Sequence, residues 1–66
     1  MTLGELLTEC KNTRRDKVVR VFVGCMTIFK GIPANISVRD WVKLNPYFNC
    51  KVADKGMIGS TFVITL

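Results

Sequence analysis

Two segments rich in β-branched and aromatic residues constrain the fold of this chain more than any other feature. Residues 18–23 are largely apolar on both sides of an extended chain, with Arg20 as the exception, and residues 60–66 alternate large apolar side chains with threonine and valine. Such runs are typical of β-strands. Isolated glycines and prolines lie in the segments around these two strands, so we expect further short strands and tight turns.

The residues after each of these strands predict the rest of the sheet. Gly24 followed by Cys25 suits a two-residue type II′ turn, and residues 26–30 return as a second strand. In the last third, residues 49–54 predict a third strand, Lys55-Gly56 the turn, and residues 60–66 the fourth strand. Gly59 is interpreted as a β-bulge before that last strand.

Two short amphipathic segments predict helices. In the first, Thr2 and Glu5 have the spacing of a capping box at the start. Its apolar residues recur at i, i+3, i+4 and i+7, and they are Leu3, Leu6, Leu7 and Cys10.

The second helix is predicted to begin at Ser37, with Asp40 as the acidic cap partner three residues later. Val38, Trp41 and Val42 form its predicted apolar stripe. Pro46 disfavours helical geometry at the residue before it, so the helix should end near Leu44.

The expected architecture is a single α+β domain over residues 1–66, in the order α-β-β-α-β-β. A mostly antiparallel four-stranded sheet with both helices on one face is the economical arrangement. The other face would be open and would carry threonine and arginine among apolar residues.

A chain of 66 residues buries only roughly 60% of its unfolded surface, so we expect its stability to need a supplement. Three cysteines cannot pair completely within one chain, and no histidine is present for a zinc site. Cys10, Cys25 and Cys50 are therefore expected to be reduced and buried. Oligomerisation remains as the supplement, and a homo-oligomer is expected.

The reduced cysteines favour a cytoplasmic location. No stretch approaches the length of a membrane span, and the first residues lack the basic and apolar regions of a signal peptide. A cytoplasmic protein that does not bind membranes is therefore expected.

The residue content argues against an enzyme. The chain has no histidine, the commonest general base. Two of its five carboxylates, Glu5 and Asp40, are helix-cap partners, and the other three fall in different segments. No phosphate-binding glycine loop or dinucleotide fingerprint is present. We therefore expect no catalytic residues, no metal and no cofactor.

A basic run in the first third points instead to binding. Ten basic residues against five acidic ones give a net charge of +5, which favours anionic partners. Lys11 and four further cations lie within ten residues, and the four predicted to bind phosphate are Arg14, Arg15, Lys17 and Arg20. The same run would also suit a solvated loop, or charges that offset the first helix dipole.

Trp41 and Tyr47 are the candidate residues for stacking or anchoring a ligand, because aromatic side chains near cations bind bases. Packing of Trp41 in the core with Val38 and Val42 is the alternative. Tyr47 and its neighbour Phe48 follow Pro46, and one of the two is expected at the surface.

The opening Thr2-Leu3-Gly4-Glu5-Leu6-Leu7, together with the short helix, the hairpin and the basic bias, resembles small uncharacterised proteins of bacteriophages and Gram-positive mobile elements. The resemblance is one of layout over the whole chain. It implies a protein in the host cytoplasm that acts by binding, either blocking a host defence protein or sequestering a nucleotide signal.

Three functions follow as hypotheses. In the leading one, a non-enzymatic oligomer captures an anionic ligand, such as a nucleotide signal, and so counters host defence. In the second, the basic and apolar surface inhibits a host defence protein by docking on it, with Val18, Phe22 and Tyr47 as anchors. The third is a DNA- or RNA-binding regulator.

Overall fold

The computed structural model describes residues 1–13 and 16–66 and confirms the predicted element order. The helices and strands are α1 Leu3–Thr13, β1 Val18–Val23, β2 Met26–Gly31, α2 Val38–Leu44, β3 Asp54–Ile58 and β4 Thr61–Thr65. Single 3₁₀ turns cover Pro33–Asn35 and Asn45–Tyr47. None of the described helices is long and apolar enough to cross a membrane.

The four strands form one mixed sheet in the order β2-β1-β4-β3. The two hairpin pairings are antiparallel, as predicted, whereas the central strands β1 and β4 run parallel. Parallel neighbours need a long crossover connection, which here is the whole stretch from β2 through α2 and β3. The two most apolar strands thereby occupy the centre of the sheet.

The core lies between α1 and one face of this sheet. The predicted stripe of α1 is buried in full, and it packs with the inward side chains of the three strands β1, β2 and β4 and with one residue of α2. These partners are Val19, Val21, Phe29, Phe62, Ile64 and Leu44. The side chains selected by the period-2 pattern of the strands and by the period-3.6 pattern of α1 therefore pack in a single core cluster.

The start of α1 is fixed both by its own residues and by a distant segment. The predicted capping box forms, because the Glu5 N–H donates to Thr2 Oγ1 at 3.3 Å and the Thr2 N–H donates to Glu5 Oε1 at 3.2 Å. The Gly4 N–H donates to the Phe48 carbonyl oxygen at 3.0 Å. A β-carbon on Gly4 would lie 3.3 Å from that oxygen, so glycine permits this close approach.

The predicted apolar stripe of α2 is wrong, although its boundaries and cap are confirmed. Ser37 caps the helix by accepting a hydrogen bond from the Asp40 N–H. Val38 and Val42 are 80% and 68% exposed, whereas Leu44 is fully buried. The helix has seven residues, and it turns Trp41 and Leu44 towards the rest of the molecule through their i, i+3 spacing.

The predicted second hairpin is displaced. Of residues 49–54 only Asp54 belongs to the third strand, and Lys55-Gly56 lies within β3 instead of in a turn. The turn is Gly59-Ser60, where Gly59 has a φ of +62° and Ile58 pairs with Thr61. A two-residue loop with positive φ at its first residue alone has the pattern of a type II′ turn, and Ser60 has no positive φ, so Gly59 makes the turn and not a bulge.

The first hairpin forms as predicted, since Gly24 has a φ of +60° and Val23 pairs with Met26. The cysteine interpretation is wrong at two positions of three. Cys10 is buried, but Cys25 is exposed in this turn and Cys50 is exposed after the second 3₁₀ segment, and no disulfide joins any of them.

Candidate anion-binding face

The sheet face opposite the core is open, as the fold prediction required. Both helices pack against the other side. We call this surface the open face, and its side chains follow from strand alternation and pairing. They are Thr27 and Lys30 of β2, Val18, Arg20 and Phe22 of β1, Thr61, Val63 and Thr65 of β4, and Asp54, Gly56 and Ile58 of β3.

Arg20 is held in a defined position at the centre of β1. Its Nε and Nη2 atoms both donate to Thr27 Oγ1, at 3.1 and 3.0 Å. The guanidinium carbon also lies 4.6 Å from the centre of the Phe22 ring. A guanidinium carries five N–H donors, so the edge that faces away from Thr27 retains donors for another acceptor. A carboxylate or phosphate is the group that matches this geometry.

Lys30 lies directly across the strand pair from Arg20. Residues in this position have β-carbons about 5 Å apart, and two like charges there destabilise the pairing. Within the described part of the chain, no lysine or arginine side chain forms an ion pair with an Asp or Glu. The open face therefore holds two adjacent positive charges that form no ion pair, and Asp54, the acidic residue of this face, lies two strands away from Arg20.

A shallow depression of about 170 Å³ lies beside this pair of cations. Its walls are formed by Arg20, Phe22, Lys30, Ile58, Thr61 and Val63. Sites that enclose a small organic ligand usually have about 300–1,000 Å³. One copy of the chain can therefore contact an anionic group here but cannot enclose a whole nucleotide.

The four predicted phosphate-binding residues do not all meet at this place. Arg20 is at its centre, and Lys17 is exposed just before β1. Arg14 and Arg15 lie outside the described residues. Lys11, the other member of the basic run, has its Nζ 4.7 Å from the centre of the Trp41 ring, so it contacts α2 on the helix-covered side.

The predicted stacking residues are also on the helix-covered side. Trp41 meets Phe48 edge to face, with ring centres 5.0 Å apart and an angle of 79° between the planes. Tyr47 is half-buried against the core and lines a groove beside the edge of the sheet. Neither aromatic residue lines the depression beside Arg20. Tyr47 does line a groove together with Thr27, the hydrogen-bond partner of Arg20.

A groove of about 370 Å³ lies beside Tyr47 and is larger than the depression beside Arg20. It separates the edge strand β2 from α2, and mostly apolar side chains line it. They are Met26, Thr27, Ile28, Val42, Lys43, Pro46 and Tyr47. This groove is where the exposed apolar side of α2 meets the sheet.

Lys30 was missed in the sequence because a bulge sets its position opposite Arg20, whereas Thr27 faces Phe22 in either register. In a regular hairpin closed by Gly24-Cys25, Arg20 would face Phe29. The observed register skips Ile28 between the pairs Phe22–Thr27 and Val21–Phe29, so Arg20 faces Lys30. The alternation of residues 26–30 gives no signal for this extra residue.

The described residues contain no group of three His, Cys, Asp or Glu side chains that could hold a metal ion. Comparison with protein-family models, with curated proteins and with solved structures returned no match. The arrangement of side chains is thus the basis for a functional proposal.

Proposed function

We propose that this chain is a non-enzymatic binding protein that captures an anionic ligand on the open face of its sheet. The observation that carries the proposal is the pair Arg20 and Lys30, two adjacent cations on a sheet face without an acidic partner in the described chain. Such a pair costs stability in the free protein and is relieved when an anion binds between the two groups.

The position of Arg20 suits this role because little freedom is lost on binding. Two hydrogen bonds to Thr27 and the stack on Phe22 fix the guanidinium before the ligand arrives. Preorganised groups give more affinity than flexible ones since the entropy cost of ordering them is already met. Lys30 adds a second charge on a side chain that can adapt.

A phosphate-bearing ligand such as a nucleotide is the proposed cargo. The phosphate would bind Arg20 and Lys30, and a second copy of the chain would complete the site, because the depression on one copy is too small to enclose a nucleotide. Trp41 or Tyr47 of that second copy would supply the base-stacking surface. Sequestration of a nucleotide signal in a host cell is the biological form of the proposal, and it rests on the resemblance in layout alone.

Isothermal titration tests the proposal with inorganic phosphate, linear and cyclic nucleotides, and a short single-stranded oligonucleotide, all at low salt. We expect at least one nucleotide to bind with measurable heat. Arg20→Ser should weaken that binding about tenfold or more, since a charge-assisted hydrogen-bond pair is lost. Arg20→Lys should recover only part of it, because lysine lacks the planar fork.

Lys51→Ser is the matched control, because it removes one charge from an exposed residue outside the open face. Its affinity should stay within about twofold of the wild type, as expected for a distant screened charge. Absence of heat with every ligand, or equal losses in Arg20→Ser and Lys51→Ser, contradicts the proposal. Binding of the oligonucleotide alone, with a steep salt dependence, supports a nucleic-acid regulator instead.

The groove between β2 and α2 favours a second candidate, an inhibitor that docks on a protein. Met26 is more than half exposed there, and Val38 and Val42 project from the exposed side of α2. Exposed apolar patches rimmed by cations are typical of protein interfaces. Val42→Asp should abolish stoichiometric capture of such a partner and leave the nucleotide titration unchanged. If Val42→Asp instead weakens nucleotide binding and leaves capture of the partner unchanged, this candidate is excluded.

A further inference from the structure

The two edges of the sheet differ in how they are protected against pairing with another strand. Natural proteins guard an exposed edge with bulges, prolines and charged side chains. The edge strand β2 has two such features, the bulge at Ile28 and the cation Lys30. The other edge strand, β3, carries the charged residues Asp54 and Lys55 but has neither a bulge nor a proline.

β3 is a regular strand at the edge of the sheet. On its outer side the Lys55 N–H donates to Asp54 Oδ1 at 2.8 Å, a bond that pairing with another strand would have to replace. Its five residues pair with β4 in unbroken register, from Asp54 opposite Thr65 to Ile58 opposite Thr61. Every residue of β3 is exposed, including Met57 and Ile58, which are 47% and 70% exposed. The outward backbone groups of such an edge pair readily with another extended strand.

We propose that β3 pairs with β3 of a second copy, antiparallel and around a two-fold axis, to form a continuous eight-stranded sheet. Residues opposite each other in such a pair lie on the same sheet face. Asp54, Gly56 and Ile58 belong to the open face, whereas Lys55 and Met57 belong to the helix-covered side, since they pair with Ile64 and Phe62. This restricts the register to a few alternatives.

One of these registers keeps all five residues of each β3 paired, and it places Gly56 opposite Gly56 of the second copy. Lys55 then lies opposite Met57 of the second copy, and Asp54 lies opposite Ile58 of the second copy. Shifting the strands in one direction would put the two Lys55 side chains directly opposite each other, which is unfavourable. Gly56 has open space around its β-carbon direction, so the centre of the pair is free of steric conflict.

Electrostatic repulsion favours pairing of two copies through β3 over pairing through β2. Two molecules of net charge +5 repel each other except where a local surface is balanced. β3 carries one acid and one base, Asp54 and Lys55, so its net charge is zero. A pair formed through β2 would bring both copies of Lys30 and Arg20 together.

The dimer is separate from the anion site of the proposed function. The two Arg20 residues would be five strand spacings apart, or roughly 24 Å, across the joined sheet. Pairing through β3 therefore does not require anion binding at Arg20, and anion binding does not require pairing through β3. An edge contact of five residues a side is small beside the roughly 1,600 Å² of a standard interface, so a reversible dimer with a micromolar dissociation constant is expected.

Analytical ultracentrifugation from about 1 to about 500 μM, a range that brackets micromolar affinity, tests the proposal. The wild type should convert from monomer to dimer over this range. Met57→Lys should remain monomeric, because the new cation lies opposite Lys55 of the second copy. The double variant Lys55→Glu/Met57→Lys should recover the dimer by forming two ion pairs, one in each symmetric half.

Met26→Lys is the matched control, since Met26 is a comparably exposed methionine on the edge strand β2. It should leave the dimer constant within about twofold, as expected for a surface change away from the contact. All three substituted residues are exposed, so circular dichroism should show an unchanged fold. A monomeric wild type, a dimer indifferent to Met57→Lys, or a failure of the double variant to dimerise overturns the proposal.

Disulfide trapping provides a second readout of the register. In a Cys25→Ser/Cys50→Ser background, Gly56→Cys should form a covalent dimer under mild oxidation, because opposite α-carbons about 5 Å apart accommodate a disulfide. Asp54→Cys should not, since the two copies of residue 54 lie at opposite ends of the strand pair. Equal cross-linking of both variants overturns the register.

Discussion

Single residues in this protein are placed by neighbours that are distant in the sequence. Leu44 shows this most clearly, because the sequence gives it no more weight than Val38 or Val42, yet it alone of these three enters the core. A two-turn helix followed by proline has little amphipathic signal of its own. The contacts offered by the sheet and by α1 decide which side of it faces inward.

Leu44→Ala and Val42→Ala test the orientation of α2. We expect Leu44→Ala to lower the free energy of unfolding by about 2–5 kcal/mol, because it leaves a cavity at a fully buried site. Val42→Ala should change it by less than about 0.5 kcal/mol, since this side chain is mostly in solvent. Urea denaturation followed by circular dichroism measures both, and the opposite ranking would restore the sequence-based stripe.

At the scale of elements, both helix starts were predictable because they are local. In each, a hydroxyl side chain accepts a hydrogen bond from the backbone N–H three residues on. In α1 the return bonds reach the carboxylate, since the Thr2 N–H and hydroxyl donate to Glu5 Oε1 at 3.2 and 3.0 Å. These two bonds, the backbone one first, hold the pKa of Glu5 below its ordinary value.

The lowered pKa of Glu5 predicts an acid-sensitive start of α1. A carboxylate with a lower pKa in the folded state stabilises the fold above its unfolded pKa, and this contribution is lost as pH falls through the folded pKa. The loss should therefore develop below about pH 4.5, the ordinary value for Glu. It should be small, because the carboxylate is fully exposed.

Glu5→Gln should remove this part of the pH dependence. Compared with the wild type, the variant should be less stable at pH 7 and nearly equal at pH 3, when urea midpoints are measured at both values. Glu9→Gln, an exposed position on the same helix, serves as the control and should leave the difference between the two pH values unchanged. An equal effect of the two substitutions would contradict the capping role of Glu5.

The whole molecule has a charge imbalance that its fold does not compensate. Its net charge is +5, and no ion pair is formed by the lysines and arginines of the described chain. Like charges on a small domain repel one another and lower the stability of the compact state. The anion site and the balanced β3 edge are the two places where a partner would reduce this repulsion.

Added salt should therefore stabilise this protein. Raising NaCl from about 20 mM to about 500 mM shortens the screening length several-fold. We expect the free energy of unfolding to rise by about 0.5 kcal/mol, which corresponds to a rise in Tm of roughly 2–4 °C for a domain of this size. Lys43→Glu/Lys51→Glu lowers the net charge from +5 to +1, because each exchange removes two units, and its Tm should respond much less. A Tm that is independent of salt in the wild type would refute this account.

The sequence by itself determined the element order, the α+β class, both helix caps, the first hairpin turn and the buried stripe of α1. All of these depend on residues within a few positions of one another, whose spacing fixes backbone conformation or side-chain direction. The sequence also marks Gly59, but the predicted bulge is wrong because β3 ends at Ile58 and Gly59-Ser60 is the turn.

Only the tertiary structure decided which strands and which side chains are neighbours. The parallel pairing of β1 with β4, the inward side of α2, the bulge at Ile28 and the resulting opposition of Arg20 and Lys30 all depend on contacts between distant segments. A register shift of one residue exchanges the neighbours across a strand pair, and no local pattern encodes it here. For this reason Arg20 was predicted as a binding residue, but its partners Thr27, Phe22 and Lys30 became visible only in the folded chain.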